Sequence, residues 1–159
     1  MRMIRDPHRK QHLTKYYKIL DRVIRDFKHH GTTSDQELRK ALARYNLEPG
    51  QVGTFSDYEA CLETNQFPPY AIYNTMRGPP GEHWFCCYKG VKYDPLGKDK
   101  SRSAEQPDES ENCGQRCIAY LIMCKRADVK KGVPLYELLR FAMRRDRRTR
   151  ETPRRRHWV

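Results

Sequence analysis

The sequence has no long hydrophobic run. None of its apolar segments approaches the roughly 18 residues that a membrane-spanning helix needs. Its 159 residues are 37% hydrophobic and 33% charged, which predicts a single soluble domain without a membrane partner. The N-terminal segment is charged, and no apolar stretch follows it, so we expect an intracellular protein without a secretory signal. The six cysteines are then expected to be mostly thiols.

The sequence also lacks any Cys-x-x-Cys pair. A zinc site built from Cys86, Cys87, Cys113 and Cys117 is therefore a poor alternative, and we expect no metal. Cys86 and Cys87 alternate along a predicted strand, so one should face inward and the other outward. Cys117 and Cys124 fit the pattern of small core residues on a buried helix.

Acidic residues are scarce relative to basic ones. The chain has 32 Lys and Arg against 20 Asp and Glu, a net charge of +12. Residues 140–159 contain nine Arg against Asp146 and Glu151, so this stretch alone carries +7. Such a concentration favours contact with a polyanion, most commonly nucleic acid, slightly over a tail that only aids solubility. The predicted nucleic-acid-binding residues are Arg144, Arg145, Arg147, Arg148, Arg150, Arg154, Arg155 and Arg156.

The first half of the chain is predicted to be helical. Apolar residues at three- and four-residue spacing predict a helix over 12–29 that is closed by Gly31. Ser34 and Glu37 form a capping box for a second helix that extends to about residue 45. Pro49-Gly50 breaks this pattern, and a short helix over 56–62, capped by Ser56, follows.

The second half changes character. Residues 70–76 predict a strand, and 83–88 with 91–93 predict a tight hairpin turning at Lys89-Gly90. A polar loop over 98–112 leads to a buried helix from Cys113, and a last helix begins at Pro134. We predict an α+β domain over residues 1–145, followed by an Arg-rich tail over 146–159. Its small, central, mostly antiparallel sheet packs on the buried helix, with helices flanking it at both ends.

Cys113 is the candidate nucleophile. It follows a polar loop and opens the buried helix. There the helix dipole and free backbone N–H groups favour the thiolate. Gly114 leaves room for a substrate backbone. A cysteine at a helix start is weak support by itself, and a structural thiol is the alternative.

His83 is the candidate base for that nucleophile, with Asp94 to orient it. His83 begins the first strand of the hairpin and Asp94 ends the second, so the turn can bring the two side chains together. The alternative is a surface His–Asp pair of little energetic value. The functional interpretation requires Cys113 to lie close to His83.

These motifs, taken in order, resemble a known family. His83-Trp84, Asp94-Pro95-Leu96-Gly97, Gln106 and Cys113-Gly114-Gln115-Arg116-Cys117 are similar to the adenovirus-type maturation protease (adenain-like) and its wider clan of SUMO-deconjugating cysteine proteases. The similarity covers about residues 70–125. The four motifs follow the order His, Asp, Gln, Cys with compatible spacing.

The resemblance implies a papain-like cysteine endopeptidase with a His83–Asp94–Cys113 triad. It places Gln106 in the oxyanion hole, and Trp84 and Gly114 at the substrate. It also implies cleavage of viral capsid or core precursors, often in a Gly-x-Gly context, within the virion, the host nucleus or a virus factory. Enzymes of this type are stimulated by DNA and a small peptide, and we expect a monomer with no other cofactor.

Two other classes of function stay open. The same triad would serve a protease for ubiquitin-like conjugates or an acetyltransferase. A basic nucleic-acid-binding protein with an inactive site is the third hypothesis, in which the Arg-rich tail carries the function.

Overall fold

The computed structural model describes residues 9–29, 31–75, 83–95 and 112–127. Gln106, the helix predicted from Pro134, and the Arg-rich tail lie outside these residues, as does the loop over 98–112 except for Asn112. The described part of the chain is an α+β arrangement. Its elements are, in order, α1 (Arg9–Phe27), α2 (Asp35–Arg44), β1 (Gly50–Gly53), α3 (Phe55–Thr64), β2 (Tyr70–Asn74), β3 (Trp84–Tyr88), β4 (Val91–Tyr93) and α4 (Cys113–Ala127).

The four strands form one mixed sheet in the order β1-β2-β3-β4. The β2–β3 and β3–β4 pairs are antiparallel, as predicted, whereas β1 runs parallel to β2. Lys89 and Gly90 both have positive φ, at 51° and 85°, which gives the two-residue turn between β3 and β4 its tight geometry. The predicted hairpin is therefore confirmed.

Helices cover both faces of this sheet. Ile72, Cys86 and Tyr93 point into a large core shared with α1, α2 and α4. Tyr73 and Phe85, on the opposite face, pack against α3 in a smaller, aromatic core. β3 begins directly after the candidate base His83. Both faces of this strand are therefore covered by packed side chains.

The prediction that only one of Cys86 and Cys87 faces inward was wrong. Both side chains are fully buried, Cys86 in the large core and Cys87 in the small one. The strand alternates as expected, but α3 covers the face that was assigned to solvent. Both thiols are desolvated there, which raises the pKa of each, that of Cys87 to about 12.

The N-terminal helices follow the predicted pattern with shifted ends. Ser34 caps α2 through a capping box with Glu37, as predicted. α1 ends at Phe27 rather than at residue 29, because the backbone turns into the left-handed region at Lys28. α3 is longer than predicted, and Thr54 rather than Ser56 is its cap, with Asp57 completing the capping box.

Among the described helices, none is both long and apolar enough to cross a membrane. α4 is the most enclosed of them, with every residue from Cys113 to Cys124 buried. It packs mainly against α1 and β3. This packing fixes where its first residue, Cys113, meets the sheet.

Candidate active site

The start of α4 and the start of β3 meet at the candidate site. α4 begins at Cys113, as predicted, and the backbone N–H of Arg116 donates to the Asn112 carbonyl at 3.1 Å, which makes Asn112 the residue that leads into the helix. The backbone N–H of Trp84 donates to the Cys113 sulfur at 3.3 Å. A donor on the sulfur at a helix N-terminus is the environment in which a thiolate is stabilised.

His83 and Asp94 are joined directly across the hairpin. The His83 Nε2 atom lies 2.6 Å from Asp94 Oδ1, and the two side chains are only 16% and 7% exposed. The register pairs Cys86 with Tyr93, so residue 94 continues β4 opposite the first residues of β3. The short hairpin thus brings the two predicted residues into a mostly buried hydrogen bond rather than a loose surface pair.

The electrostatics of His83 link it to both partners. Burial lowers the pKa of His83, but hydrogen bonds with Asp94 and Cys113 and the charges of both groups outweigh it and raise this pKa to about 9. Asp94 occupies Nε2, which leaves Nδ1 as the ring nitrogen available to a thiol. His83 is then protonated at neutral pH, as an imidazolium–thiolate pair requires.

A pH dependence of stability follows from the raised pKa of His83. The folded state holds this proton more tightly than the unfolded chain, whose histidine titrates near 6.5. The stabilisation is therefore complete below about pH 6.5 and is lost as the pH rises through about 9. We expect the difference in unfolding free energy between wild type and His83→Gln, from urea titrations, to shrink from pH 6 to pH 9.5. A difference that stays constant or grows over this range would contradict the assignment.

The two residues predicted to touch substrate, Trp84 and Gly114, have partners within the fold. The Trp84 side chain is 4% exposed, and its indole N–H donates to the Thr33 carbonyl at 3.2 Å. A Cβ on Gly114 would overlap the Thr33 hydroxyl and lie 3.2 Å from a Leu38 methyl group. Both residues therefore lie against the segment before α2, beside the nucleophile.

Gly114→Ala is expected to destabilise the protein. The added methyl group meets Thr33 and Leu38 in a packed core, where overpacking costs about 1–3 kcal/mol. Thermal or urea unfolding measures the loss. Thr33→Ala in the same chain removes the overlapping hydroxyl and should restore part of it. If the double variant is no more stable than Gly114→Ala, the overlap with Thr33 is not the cause.

Gln115 is a site residue that the sequence did not reveal. Its buried side-chain amide donates to the carbonyls of His29 and Gly31, both at 3.1 Å. His29 in turn accepts from the Gly31 N–H through Nδ1 and contacts Glu37 through Nε2 at 3.0 Å. The segment between α1 and α2 is thus tied to the residue two positions after the nucleophile.

Asn112 and Arg116 are two further buried polar residues to which the sequence alone assigned no role. The Arg116 Nε atom donates to Asn112 Oδ1 at 2.7 Å, and each residue is 2% exposed. Further along α4, the Cys117 thiol donates to the Trp84 carbonyl at 3.6 Å. The N–H and the carbonyl of Trp84 therefore contact two thiols on successive turns of α4, which fixes β3 against the helix.

No group of three or more His, Cys, Asp or Glu side chains in the described residues is arranged to hold a metal ion. All six cysteines are free thiols. The site instead holds the thiol of Cys113, the imidazole of His83 and the carboxylate of Asp94, which are the three groups that nucleophilic catalysis by cysteine uses.

A scan against family models finds no match to the chain. A search of curated proteins finds no match to the chain, and neither does a search of solved structures.

Proposed function

We propose that the protein is a cysteine endopeptidase in which Cys113 is the nucleophile, His83 the base and Asp94 its orienting acid. One observation supports this above the others: His83 is bonded to Asp94 at 2.6 Å, and the next residue, Trp84, donates its backbone N–H to the Cys113 sulfur at the start of a buried helix. A cysteine with a purely structural role does not require a His–Asp pair beside it. The order and spacing of the motifs that resemble the adenovirus-type protease add to the proposal.

The mechanism follows from these positions. The Cys113 thiolate attacks a peptide carbonyl, and the oxygen becomes an oxyanion as the carbon–sulfur bond forms. Protonated His83 gives its proton to the leaving amine, which yields a thioester on Cys113. Neutral His83 then takes a proton from water, whose oxygen attacks the thioester and releases the acid product and the thiolate. Asp94 keeps the imidazole in one orientation throughout.

Gln106 is the proposed side-chain donor to the oxyanion, beside the backbone N–H of Cys113. Loss of one such donor costs about 10²- to 10³-fold in kcat. We therefore expect Gln106→Ala to cleave peptides that much more slowly while its thiol still reacts with iodoacetamide at the wild-type rate. Gln36→Ala, at an exposed position of α2, is the control. Cleavage by Gln106→Ala at the wild-type rate would remove Gln106 from the site.

The proposed substrates are viral capsid or core precursors, cut during particle maturation with DNA as a stimulating polyanion. The place of action would be the virion, the host nucleus or a virus factory. The net charge of +12 supports the polyanion, since a basic protein is drawn to phosphates without sequence preference.

A substrate panel tests the proposal. Wild type and Cys113→Ala are incubated with Gly-Gly-type peptides, with ubiquitin-like conjugates and with an acetyl donor, each with and without DNA. We expect wild type alone to cleave the peptides, and faster with DNA. Turnover restricted to conjugates or acetyl transfer would replace the endopeptidase with one of those activities. Equal cleavage by Cys113→Ala would refute the triad.

A further inference from the structure

A stripe of basic side chains follows the exposed face of α1. Lys15, Lys18, Arg22 and Arg25 are all exposed and are spaced by three, four and three residues. At about 100° per residue, this spacing keeps the four within an arc of about 80° on the helix surface. The buried residues of α1, such as Tyr16 and Val23, lie on the other side.

The positive charge of this basic stripe is largely unneutralised by the carboxylates near it. Asp26, at one edge, accepts a hydrogen bond from the Tyr45 hydroxyl and lies 3.8 Å from Arg44. Asp21, at the other edge, is exposed. Within the described residues, none of the four stripe cations has a carboxylate within ion-pair distance.

The dimensions of the basic stripe match a phosphate backbone. Lys15 and Arg25 are ten residues apart, about 15 Å at roughly 1.5 Å of rise per residue. One strand of duplex DNA presents a phosphate about every 3.4 Å along the axis, so this length faces roughly four phosphates. Four aligned cations opposite about four phosphates give charge complementarity without any reading of bases.

We infer that the basic stripe of α1 is a nucleic-acid-binding surface that contacts the phosphate backbone without sequence preference. It is distinct in sequence from the Arg-rich tail over 146–159, and it belongs to α1. The inference deepens the proposed function, in which DNA is the stimulating polyanion, by adding a site for that polyanion.

The position of α1 connects this surface to the nucleophile. The Tyr16 hydroxyl donates to the Arg116 carbonyl at 3.4 Å, and both side chains are buried. The chain that leaves α1 supplies the His29 and Gly31 carbonyls that hold Gln115. A polyanion bound along α1 therefore stabilises the helix and the segment that position the start of α4.

The test compares two pairs of substitutions in the full chain with Cys113→Ala, so that no result depends on catalysis. Lys18→Gln/Arg22→Gln neutralises the middle of the basic stripe. Lys89→Gln/Lys92→Gln removes the same charge from the hairpin, where Lys92 covers Phe85 on the α3 side of the sheet. Glutamine keeps a good helix propensity at the stripe positions, and thermal unfolding checks that each protein is folded.

Binding to a mixed-sequence DNA duplex is measured at several salt concentrations. Each lost phosphate contact lowers the slope of log affinity against log salt by about 0.9, so we expect the stripe pair to reduce the slope by roughly two. The hairpin pair should leave it unchanged. A wild-type slope for the stripe pair overturns the inference. The inference is also overturned if the protein binds phosphatidylserine vesicles or polyglutamate through the basic stripe and does not bind DNA.

Discussion

Cys113→Ala is expected to abolish peptide cleavage, with a loss on the order of 10⁴-fold or more. Alanine fills nearly the same space at this buried position but offers no nucleophile, so no thioester can form. The protein should fold normally, because the change removes a single sulfur atom. Peptide hydrolysis followed by mass spectrometry, together with thermal unfolding, measures both properties.

Cys117→Ala is the matched control for this loss. Cys117 lies one turn further along α4, is fully buried, and donates to the Trp84 carbonyl. Burial raises its pKa well above that of an ordinary thiol, so it stays neutral and inert. Cys117→Ala should cleave peptides with some loss of stability. If it loses activity while folded and Cys113→Ala keeps it, the nucleophile has been misassigned.

Asp94→Asn is expected to reduce kcat/KM by roughly 10²- to 10⁴-fold. The asparagine keeps the shape of the side chain but removes the charge that holds the imidazolium. Burial lowers the pKa of His83, and the Asp94 carboxylate is a main reason why that pKa instead rises to about 9. Without it, the pKa of His83 should fall by an amount that NMR titration of the imidazole can follow.

The chain offers a second His–carboxylate pair as the control for this substitution. His29 and Glu37 are 3.0 Å apart, but their side chains are 35% and 40% exposed. Glu37→Gln should therefore leave both peptide cleavage and the titration of His83 unchanged. The interpretation of Asp94 would be contradicted if Asp94→Asn retained the pKa of about 9, or if both substitutions reduced cleavage equally.

Local patterns in the sequence predicted much of the fold. The capping box at Ser34 and the turn at Lys89-Gly90 each depend on residues a few positions apart. The helix that begins at Cys113 has a long apolar run, so its existence and burial were both predictable. These elements follow from short-range chemistry, which the sequence displays directly.

Features set by long-range packing could not be predicted in this way. β1 has four residues, two of them glycine, and only Val52 is buried, so it has no strand signature apart from its pairing with β2. Burial of both Cys86 and Cys87 depends on α3 covering the second face of the sheet. Gln115 and its carbonyl partners are more than 80 residues apart.

The candidate site depends both on local sequence patterns and on long-range packing. The hairpin alone predicted that His83 and Asp94 could meet, because its turn fixes their register. The approach of Cys113 depends on α4 packing against β3, with the Trp84 N–H donating to the sulfur across 29 positions of sequence. The order of the motifs along the chain suggested that Cys113 lies beside His83, whereas hydrophobic periodicity gave no indication of it.

Competition between two thiols for iodoacetamide tests the central claim, that Cys113 is an activated nucleophile, most directly. Cys61 is only partly buried, whereas Cys113 is 4% exposed, so access alone favours Cys61. If His83 holds Cys113 as a thiolate, mass spectrometry at neutral pH should find Cys113 alkylated first, and His83→Ala should reverse the order. Faster alkylation of Cys61 in the wild-type protein would contradict the account.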